Sequence, residues 1–159
     1  MTPALLANML EGSWEFAKHM LGKAGEFYPF AETADTTGKR ALQGAYDGQE
    51  HPGGKEIYAL LQAALLSDVA QGKIAALALT ANVDIPPQYK PEFPDGIRVH
   101  LEALGYSRFV YLPYRVSRRS VVHRLLRRAH PVAYGEPVSV EIPPLFFRQP
   151  TAGGGPTIG

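Results

Sequence analysis

Residues 97–102 and 109–114 flank Gly105, and apolar side chains occupy every second position in both stretches. A period of two is typical of β-strands that bury one face, so this pattern constrains the fold more than any other feature. Glycine favours the first position of a two-residue type II′ turn, which predicts a turn at Gly105 and Tyr106. The predicted pairs are Leu101 with Val110, Val99 with Leu112, and Ile97 with Tyr114.

The opposite face of this predicted hairpin carries polar side chains. The register places Glu102 opposite Phe109 and His100 opposite Tyr111, with Arg98 on the same face. Histidine titrates near neutral pH and a neighbouring carboxylate can exchange protons, so one hypothesis is a small-molecule enzyme with a pocket at Arg98, His100, Glu102 and Tyr111. The alternative is that these side chains are ordinary core and surface residues.

Helical spacing of apolar residues predicts helices at residues 3–23, 57–69 and 120–130. Thr2 can cap the first helix and Pro3 suits its first position, and Gly72 and Pro131 end the second and third. The other predicted strands cover residues 27–35, 40–46, 74–84 and 132–142, the last as one strand or a pair of short strands.

The order of elements, α-β-β-α-β-β-β-α-β, predicts an α+β fold with a mainly antiparallel sheet and flanking helices. We expect a single domain over residues 1–148 and a flexible Gly-rich tail over residues 149–159. The order is similar to that of profilin-like and roadblock-like domains, and this analogy at the level of the fold implies no function.

Charge is unevenly distributed, although the formal net charge is only +1. Residues 1–102 contain eight Lys or Arg against 13 Asp or Glu, and residues 103–159 contain eight against two. No Asp or Glu occurs in residues 103–135. Because a fixed positive field attracts anions, we expect an acidic partner for the C-terminal part.

Arginines in this segment are the candidate binding residues: Arg115, Arg118, Arg119, Arg124, Arg127 and Arg128. Guanidinium groups bind oxyanions, so the partner is an acidic protein surface, which we favour, or a nucleic acid as the second choice, with anionic lipid third. The alternative is that the apolar side of helix 120–130 covers the sheet and the arginines are only solvated.

Several chemistries are excluded or disfavoured by the sequence. The chain has no cysteine, so it has no disulfide, thiolate nucleophile or thiolate metal site. Asp47, Glu50 and His51 lie close together in a Gly- and Pro-containing loop but have no recognisable metal or catalytic spacing. We expect no metal, no cofactor and no enzymatic activity. The chain also has no secretory signal and no apolar run of about 18 residues, so we expect a cytoplasmic protein.

Four short strings resemble those of a group of small bacterial proteins that has no established activity. They are Glu-Phe-Tyr-Pro-Phe-Ala at 26–31, Tyr-Asp-Gly at 46–48 with His51-Pro52, Leu-Pro-Tyr-Arg at 112–115, and Tyr-Gly-Glu-Pro at 134–137. The resemblance covers about residues 12–148 and implies a bacterial protein, with no functional residues to transfer. The chain departs from the group in its basic segment, residues 117–130. Because the sequence shows no catalytic constellation and its charge is split between the two parts of the chain, we interpret the protein as a non-enzymatic binding module of adaptor or immunity type, of undetermined oligomeric state.

Overall fold

A computed structural model describes residues 2–44, 53–117, 120–126 and 128–148, which form an α+β fold. The helices are α1 (Pro3–Ala24), α2 (Gly54–Ala70) and α3 (Val121–Leu125), with a 3-10 turn at Pro87–Tyr89. The strands are β1 (Phe30–Ala34), β2 (Arg40–Gln43), β3 (Ala76–Asp84), β4 (Asp95–Ala103), β5 (Tyr106–Val116), β6 (Val132–Tyr134) and β7 (Val138–Glu141). The predicted fold class and order of elements are confirmed, and residues 132–142 contain two short strands. No helix in the described ranges is long and apolar enough to cross a membrane.

Helix α1 begins and ends where its local chemistry predicts. The Thr2 hydroxyl accepts a hydrogen bond from the amide of Leu5, and Pro3 occupies the first turn. At the other end, Gly25 adopts a φ of 76° and donates its N–H to the carbonyl of Leu21. A side chain at Gly25 would strain this left-handed conformation, so glycine is suited to end the helix.

The strands form one antiparallel sheet in the order β2-β1-β3-β4-β5-β6, and β7 also pairs with β5. Helix α1 packs on one face, where Met9 and Leu21 join Ile97 in a core cluster. Helix α2 and residues 145–147 belong to a second cluster that includes Leu77 and Leu79. The sheet therefore buries side chains on both faces, including the face that the alternation marked as polar.

The predicted register of the β4–β5 hairpin is wrong by two residues, although each side chain lies on the predicted face. The turn residues are Leu104 and Gly105, and Gly105 supplies a positive φ of 79° at the second turn position rather than the first. The observed pairs are Ile97 with Leu112, Arg98 with Tyr111, Val99 with Val110, His100 with Phe109, Leu101 with Arg108, and Glu102 with Ser107. A shift of two preserves the alternation of faces, which is why the core assignment survives.

Candidate functional site

Glu102 lies at the centre of a fully buried hydrogen-bond network. One carboxylate oxygen, Oε2, accepts hydrogen bonds from the amide nitrogens of Phe146 and Phe147, at 2.7 and 2.6 Å. The other, Oε1, accepts a hydrogen bond from His100 Nε2 at 2.7 Å. It also accepts hydrogen bonds from the Ser107 hydroxyl and the Leu145 amide nitrogen, both at 3.0 Å. This carboxylate therefore holds residues 145–147 against the sheet.

Burial alone would raise the pKa of Glu102, but the hydrogen bonds from His100 and from the amides of residues 145–147 reverse that effect. Together they lower the pKa from an ordinary value of 4.5 to about 2. The group is thus ionised at neutral pH, as expected of a carboxylate that accepts several N–H donors.

His100 and Glu102, two of the four predicted pocket residues, are buried in the structure. Their exposed fractions are 1% and 0%, because residues 145–147 cover this part of the sheet. A group that exchanges protons with a substrate must reach it directly or through one water. Glu102 instead has a structural role, which the sequence alone did not reveal because three of its five partners are backbone amides 43 to 45 positions away.

Arg98 and Tyr111, the other two predicted pocket residues, lie together outside this covered region. The Arg98 Nη2 donates to the Tyr58 hydroxyl at 2.9 Å, and the guanidinium carbon lies 4.4 Å from the Phe109 ring centroid. The Tyr89 ring lies 5.9 Å from that of Tyr111. Burial raises the pKa of the Tyr111 hydroxyl, although the Arg98 charge opposes this. We call these five residues the Arg98 cluster.

Sequence reasoning missed three members of the Arg98 cluster. Tyr58 belongs to α2 and Tyr89 to the 3-10 turn Pro87–Tyr89, so neither belongs to the hairpin. Phe109 was assigned to the same sheet face, but opposite Glu102 rather than next to Arg98. The observed register places Arg98 opposite Tyr111 and beside Phe109, and the sequence pattern does not distinguish it from the predicted one.

The predicted Arg-rich helix corresponds to a segment between β5 and β6, residues 117–131, which we call the basic arm. Its base is closed by a hydrogen bond from the Ser117 amide to the Pro131 carbonyl at 2.9 Å. The His130 amide donates to the Gly22 carbonyl at 2.7 Å and so ties the arm to the end of α1. These two bonds fix where the arm leaves the sheet.

The apolar side chains at the centre of the basic arm are exposed. The exposed fractions are 70% for Val121, 61% for Val122, 78% for Leu125 and 58% for Leu126. The alternative in which this apolar side covers the sheet is therefore wrong for these residues. These four apolar side chains therefore do not contribute to the core of the fold.

The described arginines of the predicted binding set are all exposed. Arg124 lies on α3 and Arg128 follows it, while Arg115 lies at the base of the arm with its guanidinium carbon 5.3 Å from the Phe93 ring centroid. The remaining members, Arg118, Arg119 and Arg127, lie outside the described residues, as do Asp47, Glu50 and His51.

An open groove of about 1180 Å³ lies between the β1–β2 turn, the end of α2 and residues 145–148. Its walls include Leu66, Val69 and Leu104, and the sequence did not single it out. Its acidic residue, Asp35, is already bonded to Thr37 and Lys39 within the turn. Across the described ranges, no group of three or more His, Asp or Glu residues could hold a metal ion. Comparison with protein-family models, curated proteins and solved structures finds no match.

Proposed function

We propose that the protein is a non-enzymatic cytoplasmic binding module that docks on an acidic protein partner through the basic arm. The observation that carries this proposal is the exposure of Val121, Val122, Leu125 and Leu126 beside exposed arginines. Exposed apolar patches with a polar rim are typical of interaction sites. Covering one Val or Leu side chain contributes about 1.5 to 3 kcal/mol, so a partner groove that accepts several of them gains substantially.

Charge complementarity supports an acidic partner. Arg124 lies among the exposed apolar side chains, and residues 103–135 contain no Asp or Glu, so the local charge of this segment is positive. A partner with carboxylates around an apolar groove would match both features, as in the recognition of an amphipathic helix by a groove. Helix α3 has only five residues and would not be stable alone. The bonds at the base of the arm help to present it in position.

The alternative partner is a nucleic acid bound by the arginines at 118, 119, 124, 127 and 128. If each arginine contacts one phosphate, the logarithm of the binding constant falls against the logarithm of the salt concentration with a slope of roughly −3.5 to −4.5. The exposed Val and Leu side chains argue for a protein, because phosphate backbones offer no apolar surface to cover them. A protein partner predicts that both apolar and charged substitutions weaken binding, whereas a nucleic acid predicts that only charged substitutions do.

The test measures binding of an acidic amphipathic helical peptide, with Leu on one face and Glu around it, to the whole protein. We expect wild-type binding, a roughly tenfold to hundredfold loss in Leu125→Ser, and a salt-sensitive loss in Arg124→Glu. The matched control is Leu60→Ser, because Leu60 is an exposed leucine on α2. It should bind as the wild type does.

Capture from a bacterial lysate, with and without nuclease, distinguishes the natural partner classes. A stoichiometric protein that Leu125→Ser fails to capture supports the proposal. RNA or DNA captured by the wild type and by Leu125→Ser equally, but lost in Arg124→Glu, would replace the proposal with nucleic-acid binding. Peptide binding that survives Leu125→Ser would also refute the role of the apolar side chains.

A further inference from the structure

We propose that the Arg98 cluster binds the oxyanion group of a small aromatic anion. This inference does not depend on the basic arm, since the cluster consists of residues on β4, β5, α2 and the 3-10 turn Pro87–Tyr89. The ligand class is a phosphate or carboxylate attached to a planar apolar body. The argument rests on the charge of Arg98, on its hydrogen bonds and on the aromatic rings around it.

Arg98 is half-buried without a carboxylate partner. None of the ion pairs formed within the described ranges includes it. Its neighbours are aromatic instead, with the guanidinium carbon 4.4 Å from the Phe109 centroid and 5.5 Å from that of Tyr58. Stacking on rings offsets part of the cost of desolvating the charge, but it does not neutralise the charge. An anion at this position would neutralise it.

The hydrogen-bonding capacity of the guanidinium is also incompletely used. The guanidinium hydrogen-bonds the hydroxyls of Tyr58 and Tyr111, whereas Nε is shielded from solvent and has no partner in the part of the chain that the structure describes. Buried donors without partners are rare and call for an explanation. The guanidinium fork matches phosphate and carboxylate groups in geometry, so an oxyanion is the kind of ligand that suits the unused Nε–H.

The aromatic residues define the rest of the site. Tyr58, Tyr89 and Phe109 are half-buried, so the cluster reaches the protein surface, while Tyr111 is buried beneath it. The hydroxyl of Tyr111 has a raised pKa and is neutral at pH 7, so it can donate a hydrogen bond to an anion. The rings offer apolar faces on which the planar body of a ligand can stack.

The experiment titrates the whole protein with phenyl phosphate, benzoate and benzyl alcohol, and follows the Arg98 Nε–H resonance by NMR. Phenyl phosphate and benzoate separate phosphate from carboxylate ligands, and benzyl alcohol is the neutral control. We expect a saturable shift with at least one anion and none with benzyl alcohol. Arg98→Gln should weaken binding by roughly tenfold to a hundredfold.

Arg108→Gln is the matched control, because Arg108 lies on the opposite face of β5 and donates to Ser139 at 3.2 Å. It should bind the anion within twofold of the wild type. If Arg98→Gln does not fold, Tyr111→Phe and the wild-type titration carry the test, because Tyr111→Phe removes the hydroxyl that donates to the anion. A response in the Arg98 cluster that is weakened in Tyr111→Phe supports the site. The absence of a saturable shift with both anions, or an equal loss in Arg108→Gln, would overturn it.

Discussion

Replacing Glu102 with Gln should detach or strongly destabilise residues 145–147. The substitution keeps the size of the side chain but replaces one acceptor oxygen with an NH₂ donor. If the amide oxygen keeps the three donors on the Oε1 side, the new NH₂ group meets the amides of Phe146 and Phe147. Donors would then face donors inside a fully buried site.

The expected magnitude follows from these contacts. Two buried amides that lose their acceptor cost about 1 to 3 kcal/mol each, so the penalty is about 2 to 6 kcal/mol. Release of residues 145–147 limits the loss, because Phe146 and Phe147 would each forfeit about 1.5 to 3 kcal/mol of burial instead. Both routes predict a loss that is a large part of the free energy of unfolding of a typical domain, about 5 to 15 kcal/mol.

The pH dependence gives a second, independent measure. The folded pKa of Glu102 is lowered from 4.5 to about 2, so its contribution is complete above pH 4.5 and is lost as the pH falls towards 2. The shift corresponds to about 3 kcal/mol. The wild type should therefore lose this stability on acidification, whereas Glu102→Gln should lack that component of the pH dependence.

Urea unfolding at pH 7 and at lower pH values, with amide exchange at residues 145–147, measures both effects. Glu141→Gln is the control, because Glu141 is an exposed glutamate on β7, and its stability should change by no more than about 0.5 kcal/mol. Equal unfolding midpoints for Glu102→Gln and the wild type, with unchanged protection of residues 145–147, would refute the proposed role of the carboxylate.

Two further predictions concern the sheet. Gly96→Ala places a methyl group 2.5 Å from Ile85 Cγ1, so the free energy of unfolding should fall by about 1 to 3 kcal/mol. Adding Ile85→Ala to the same chain should relieve part of this clash. An unchanged Tm for Gly96→Ala would contradict the prediction. Burial and the charge of Asp95 raise the pKa of Tyr114 to about 12. The free energy of unfolding should therefore decrease as the pH rises from about 10 to 12. Tyr114→Phe should lack the highest phenolate step in an ultraviolet titration. Identical titrations of the two proteins would exclude this assignment.

Local sequence patterns predicted most of the fold, because helix caps and the alternation of strand faces depend on residues that are close together in the sequence. The hairpin register was missed because both Leu104-Gly105 and Gly105-Tyr106 place a glycine in the turn, and both preserve the faces. The role of Glu102 could not be predicted, since it depends on amides at residues 145–147 that only the folded chain brings near.

The candidate sites were predicted unevenly for the same reason. Arg98 and Tyr111 were correctly placed on one face, but their partners Tyr58 and Tyr89 come from distant elements. In the basic arm, the amphipathic spacing identified the apolar side of α3, but spacing alone does not show whether that side meets the sheet or solvent. Exposure is a property of the tertiary structure.

The hydrogen bond between Ser117 and Pro131 also bears on how this protein varies in evolution and design. Because the two ends of the basic arm are already joined at the sheet, the intervening residues form an insertion whose length has little effect on the cost of closing the loop. We therefore expect that the arm can be shortened or lengthened while β5 and β6 keep their pairing. If the arm recognises a partner as proposed, its sequence can then change with little effect on the stability of the sheet.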